Sequence, residues 1–150
     1  MAEDLKNLDK LKESFIKMNN FDPYLGNNLE FLAPGKIIVK LKVNENHLSS
    51  PRTSHGGVVA GMMDSVLGFT ALSKTITQNN LVATVKLKVN YLRPVLLGDE
   101  LEGTAEIVSL GKSLVVVKGE IKNQDGKMVS FGTGTFNQYP LEKKNILSQF

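Results

Sequence analysis

The stretch "SHGGVVAGMMDSVLG", Ser54 to Gly68, is apolar and of helix length, opens on His55-Gly56-Gly57, and carries a single carboxylate, Asp64, at its middle. Continued to about Lys74 it is too long and too evenly apolar for a strand, and its Ala, Met and Leu content favours a buried helix. Four strands are expected after it. Leu81 to Leu92 alternates Val85, Leu87, Val89 and Tyr91 against Thr84, Lys86, Lys88 and Asn90, the period of two of a strand with one wet face. Glu100 to Leu110, Ser113 to Asn123 and Met128 to Gln138 follow, joined through Pro94 to Asp99, Gly111-Lys112 and Gln124-Asp125-Gly126-Lys127, the last with the Asp-Gly signal of a tight hairpin. Links this short make neighbouring strands antiparallel. Gly103, Gly119, Gly132 and Gly134 would weaken these strands unless the buried helix approaches closely or the sheet is strongly curved.

Toward the N-terminus, residues 3 to 18 place Leu5, Leu8, Leu11, Phe15 and Met18 among charges at the spacing of an amphipathic helix, stable only when docked. Asp22-Pro23 and Gly26-Asn27-Asn28 are read as chain breaks. Leu29 to Leu32 and Lys36 to Val43 are read as two short strands across Pro34-Gly35, and Asn44 to Ser54 as a polar loop. The expected architecture is α+β: a curved antiparallel sheet wrapped around a long central helix, with an extra N-terminal helix. One domain is expected over residues 1–150, with its core at about 29–138 and a charged tail at 141–150.

Composition narrows the function. The net charge of +3 comes from 18 Lys plus Arg against 15 Asp plus Glu, scattered along alternating strands, and there is no Trp, so nucleic acid is disfavoured. The absence of cysteine removes disulfides, thiolate metal sites and Cys nucleophiles, and cytoplasm is the expected compartment. No segment approaches the roughly 18 unbroken apolar residues of a membrane span. His47 and His55 are the only histidines, and no spacing supports a metal site. Gly111-Lys112-Ser113 is no phosphate-binding loop, since Glu106 stands where its first glycine is needed. Ser130 has Gly132 after it but Met128 before it, so no nucleophile elbow exists.

A helix that begins at Gly56-Gly57 presents backbone N–H groups at the positive end of its dipole, with no Cβ to keep a ligand atom away. That is the chemical description of an oxyanion hole; the plainer alternative is a turn into a helix. Asp64 lies on a stripe of small residues, Gly57, Gly61, Asp64 and Gly68, expected to press against another element. A carboxylate there is costly unless it is paired or used, so it is either a hydrogen-bonded structural Asp or a functional acid. Gly56 and Asp64 are eight residues apart, ~12 Å along a helix, too far to touch one carbonyl. If both act, they act from different copies of the chain, laid antiparallel about a two-fold axis, and the small stripe would let the backbones approach.

"HGGVVAGMMD", followed by "VATVKLKVNYLRPVLLGDEL" and "GKSLVVVKGEIKNQDGKMVSFGTGTF", resembles the hotdog-fold acyl-CoA thioesterases of the PaaI and 4-hydroxybenzoyl-CoA thioesterase type. The resemblance covers about residues 29 to 138, and its specificity lies in the ordered set HGG-x6-D, Leu92-Arg93-Pro94, Gly98-Asp99. It implies a hotdog fold, hydrolysis of an acyl-CoA without cofactor or metal, and a homodimer or a dimer of dimers. By the same resemblance Gly56 polarises the thioester carbonyl, His55 shapes the helix entrance, Asp64 of the facing subunit is nucleophile or general base, and Thr84 assists it. Gly57, Ser49, Ser65, Arg93 and Lys112 are the candidate substrate contacts, with Lys86 and Lys88 as further partners for the coenzyme phosphates. Ser49 departs from the family, which often has Asn or Gln about six residues before the His. That departure keeps open a non-catalytic hotdog protein that binds an acyl-CoA or a lipid. A hotdog dehydratase, with a catalytic His beside a carboxylate, is a third reading. The acyl pocket would be lined by residues such as Met62, Met63, Leu67, Phe69 and Val82.

Overall fold

The computed structural model describes residues 2–141. The charged tail from 142 on, and the side chains of Leu5, Leu11 and Phe15 in the amphipathic pattern, lie outside the described residues. The elements are α1 (Ala2–Met18), α2 (Phe21–Leu25), β1 (Asn28–Ala33), β2 (Lys36–Lys42), α3 (Gly56–Thr75), β3 (Asn80–Tyr91), β4 (Glu100–Leu110), β5 (Leu114–Lys122) and β6 (Met128–Pro140), with 3-10 turns at Glu45–His47 and Ile76–Gln78. All six strands form one antiparallel sheet in the order β1-β2-β4-β5-β6-β3, so β1 and β3 are its edges.

The sheet wraps α3, which packs against β2, β3, β4, β5 and β6, the arrangement expected of a hotdog fold. Val58, Val59, Met62, Met63, Val66, Leu67, Phe69 and Leu72 are buried along the helix, each contributing roughly 2 kcal/mol of hydrophobic stabilisation. The strand glycines are the price of that closeness: a Cβ on Gly103 would overlap the Val66 side chain, and one on Gly132 would lie 3.0 Å from Met63 Cγ. Gly56–Gln78 has the length and hydropathy to cross a bilayer, but 67% of its 18-residue apolar stretch is buried inside the protein.

Two local expectations are corrected. Asp22-Pro23 does not break the chain: it lies inside α2, where Pro23 falls in the first turn and forfeits no intrahelical bond. Gly26, at φ +95°, ends that helix, its N–H donating to Asp22 O at 2.9 Å. The alternation of β3 also fails midway. Thr84 pairs with Phe136 and Lys86 with Thr135, so Val85 is an extra residue bulged out of the ladder, 63% exposed. On β6 Gly132, Gly134, Phe136 and Gln138 are buried against the helix. Val89, Leu87, Thr84 and Val82 stand opposite them and share that face. The bulge therefore moves Thr84 from the wet face, where strict alternation puts it, to the helix side.

Candidate active site

The α3 N-terminus is built from the loop before it. The buried His47 ring is held at both nitrogens, Nε2 by Leu25 O at 2.7 Å and Nδ1 by the Asn44 N–H at 3.0 Å. Its carbonyl accepts the His55 N–H at 2.7 Å, which fixes where α3 begins. His55 is the N-cap, and its Nδ1 accepts the Gly57 N–H at 2.7 Å. An accepting Nδ1 leaves the proton of the neutral ring on Nε2. One of the two glycine N–H groups expected to be free is thus taken by the cap; the Gly56 N–H carries no hydrogen bond among the described residues. On its other side Gly56 O accepts the Tyr91 hydroxyl at 2.8 Å. Gly56, Val59, Tyr91 and Arg93 line an open cavity of about 300 Å³.

The Asp64 end differs. Its Oδ1 accepts the Thr84 hydroxyl at 3.0 Å, and it faces a cavity of about 350 Å³ with Met18, Phe21, Phe69, Leu72, Val82 and Phe136 as apolar wall. Burial pushes the Asp64 carboxyl up from the usual carboxylate range; the Thr84 hydrogen bond opposes this, and the negative charge of nearby Asp22 adds to the rise. A carboxylate held partly desolvated and oriented by one hydroxyl is equipped to take a proton from water or to attack a carbonyl.

Of the sequence candidates, Asp64 and Thr84 meet directly, and His55, Gly56 and Gly57 form the helix entrance. Arg93 lies beside Gly56, but its Nη1 donates to Met128 O at 2.7 Å, tying the end of β3 to β6. Ser65 is buried and donates to Asp22 Oδ1 at 2.5 Å. Ser49, whose N–H donates to Thr53 O, and Lys112, in the β4–β5 turn, line neither cavity. Lys86 and Lys88 pair with Thr135 and Thr133 on the outer face of the sheet. Gly98-Asp99 is a turn device: Gly98 has φ +87°, and Asp99 accepts Leu96 N–H at 2.8 Å and the Gln124 amide at 2.9 Å. Of the expected acyl-pocket residues, Phe69 and Val82 face the cavity, while Met62, Met63 and Leu67 are fully buried core. The small stripe is partly filled from within the chain: Gly61 is covered by Leu25 and Phe21, and Gly68 by Phe136.

Sequence reasoning missed Tyr91, Asp22, Met18 and Phe21. Tyr91 was hidden in an apolar alternation; the signal for Asp22 was an Asn three residues ahead of it and a proline behind, the mark of a helix start. Among the described residues no three His, Asp or Glu side chains converge as a metal site.

A six-stranded antiparallel sheet wrapped around one long central helix defines a hotdog fold, and the Gly56 N–H at that helix's start and the Asp64 carboxylate two turns on are its candidate site. The thioesterase superfamily profile matches residues 52–130, and the chain belongs to that family; it is a thioester hydrolase. It is 28% identical to human acyl-coenzyme A thioesterase 13 over 138 residues, 90% of this chain and 96% of that protein. The PaaI protein of the E. coli phenylacetic acid degradation operon superposes with a TM-score of 0.81 at 22% identity, covering 89% of this chain and 94% of that one, and shares the fold. A hypothetical thioesterase from Streptococcus pneumoniae, solved with coenzyme A, has a TM-score of 0.69 at 25% identity over 80% of this chain and 93% of its own.

Proposed function

We propose that the protein hydrolyses acyl-CoA thioesters at a site shared between two copies of the chain. The observation that carries this is the pair formed by the Gly56 N–H, unpartnered among the described residues, and the Thr84-held Asp64, eight residues apart on one helix and so out of reach of a common carbonyl. An antiparallel pairing of α3 with its symmetry mate sets Gly56 of one copy opposite Asp64 of the other, twice over. The free edge of β3, twelve residues long with Val85 and Tyr91 exposed on it, supports this reading, because an open edge of that length is a surface on which a second β3 can pair.

In this reading the thioester carbonyl oxygen takes the Gly56 N–H, where the helix dipole favours the developing negative charge, an effect worth about 3 kcal/mol per donor. Asp64 of the facing subunit takes a proton from water as the water oxygen attacks the carbonyl carbon, or attacks that carbon itself to form, on loss of the thiolate, a mixed anhydride that water then hydrolyses. The C–S bond then breaks, the thiolate leaves and takes up a proton, and the free acid and coenzyme A are the products. The apolar wall beside Asp64 receives the acyl group, and its volume lies at the lower end of ligand sites, roughly 300–1,000 Å³. Acyl-CoA as the substrate class is supported by the human relative's name and by the coenzyme A held in the Streptococcus pneumoniae structure. The cysteine-free chain suits a reducing cytoplasm, the compartment this reading assigns.

Mixing two inactive variants tests the shared site. Asp64→Asn and Gly56→Val homodimers lose both sites, whereas random exchange yields mixed dimers with one intact site each, so roughly a quarter of all sites return. Thiol release from an acyl-CoA panel reads the recovery. No recovery after proven subunit exchange, or a fully active monomer, overturns the proposal. Ligand protection without thiol release by the native protein would point instead to the acyl-CoA binder.

A further inference from the structure

Asp22 is a carboxylate that the catalytic scheme above leaves idle. It is 6% exposed, sits on α2, and has donors converging on it: Ser65 Oγ and Asn27 Nδ2 reach Oδ1 at 2.5 and 2.7 Å, and the Asn19 amide reaches Oδ2. Its own N–H donates to Asn19 Oδ1 at 3.1 Å. Such convergence solvates a negative charge inside the protein. Ser65 directly follows Asp64, and α2 can reach α3 here because Gly61 has no side chain: a Cβ there would lie 3.1 Å from Leu25 and 3.3 Å from Phe21. Asp22 and Asp64 line the same cavity. The amide oxygen of Asn27 is buried without a partner, so among the described contacts that side chain is oriented through its Nδ2 alone, by Asp22 and, at 3.4 Å, by Ser65.

We propose that Asp22 is a positioning residue for Asp64, holding through Ser65 the segment of α3 on which Asp64 stands and presenting a second carboxylate to the same cavity. The inference rests on the reading of Asp64 as the catalytic carboxylate. Two carboxylates facing one partly dry cavity resist ionising together, which joins burial in lifting Asp64. The remaining elements around Asp64 bring Met18 and Asn19 from the end of α1 and beyond it, Val82 and Thr84 from β3 and Phe136 from β6, none of them charged. Lys86 and Lys88 stand on the outer face of the sheet. In the proposed dimer His55 of the facing subunit joins this surrounding. A carboxylate lifted toward neutrality is a stronger base for water at working pH.

The pH profile of kcat/KM tests this. Asp22→Asn keeps the side-chain size and removes the charge, so its acid limb moves to lower pH. Ser65→Ala keeps the charge and breaks the bond that holds the Asp64 segment, so kcat and thermal stability fall while the limb stays. A limb unmoved in Asp22→Asn, or moved equally in Ser65→Ala, overturns the proposal. If Asp22→Asn fails to fold, carbon-13 NMR of the Asp64 carboxyl in the native protein decides. An Asp64 titration that departs from a single independent curve supports the coupling, and a simple independent curve overturns it. Failure of the underlying reading is recognised separately: Asp64→Asn then retains full activity whatever Asp22→Asn does.

Discussion

The Thr84 hydroxyl donates to Asp64 Oδ1 at 3.0 Å because β3 carries one residue more than β6 needs at Val85. Strict alternation would turn Thr84 toward solvent with Lys86 and Lys88; the bulge turns it to the helix, the use bulges are put to beside active sites. The Thr84–Asp64 pair is thus made by an irregularity in the ladder.

Removing the Thr84 donor tests that pair. Thr84→Val, of similar shape, should lower kcat by about tenfold, the worth of roughly 1.4 kcal/mol for one hydrogen bond to a charged group. Because the hydroxyl holds Asp64 down against burial, the acid limb of the profile should move to higher pH, opposite to the shift expected for Asp22→Asn. Thr84→Ser should restore most of the rate and the original limb.

Asp64→Asn should lower kcat by about 10²–10⁴ or more with the fold intact. The folded-state pKa of Asp64 is raised, so its contribution to stability is complete below the unfolded carboxylate value and is lost as pH rises through the folded one. At pH 7 the ionised group therefore costs stability. Thermal melts should show Asp64→Asn melting above the native protein at pH 7, with the gap closing as the pH falls through the acid range.

The two entrance glycines should separate in their effects. A Cβ at Gly56 would meet Tyr91 at 3.4–3.5 Å, ordinary contact, so Gly56→Ala should fold normally and lose about 10²-fold in kcat through its crowded N–H. A Cβ at Gly57 would lie 2.8 Å from His55 Nδ1 and displace the cap. Gly57→Ala and His55→Ala should each cost about 1 kcal/mol of stability, read in denaturant melts.

Phe21 stands at the rim of the Asp64 cavity, 55% exposed, on a five-residue helix. Phe21→Ala should open that wall and raise kcat/KM for longer acyl chains relative to shorter ones, by up to about 0.8 kcal/mol for each additional buried methylene. An unchanged ratio across a chain-length series would place the acyl group elsewhere.

Much of this was legible in the chain because it depends on patterns local in sequence. The length and apolar continuity of residues 56–75, the alternating strands and the short links point to a meander around a helix, and the strand glycines point to the close approach that Val66 and Met63 make. Asp64 stood out as a lone carboxylate among small residues. The misreadings fell where a contact crosses the chain. Asp22-Pro23 looks like a break until Gly61 shows how closely α2 docks, and Tyr91 looks like a core residue until its hydroxyl meets Gly56 O.

The sequence by itself determined α1, α3, the six strands, their order and the two unusual features of α3, because helix and strand periodicity and N-cap chemistry act over a few residues. Only the tertiary structure decided what those features touch. It spent the Gly57 N–H on the His55 cap and left that of Gly56 without a partner among the described residues, it used the Val85 bulge to bring Thr84 to Asp64, and it set Asp22 behind Ser65. Register and close approach arise from pairing segments far apart in the chain, so a local pattern carries no record of them.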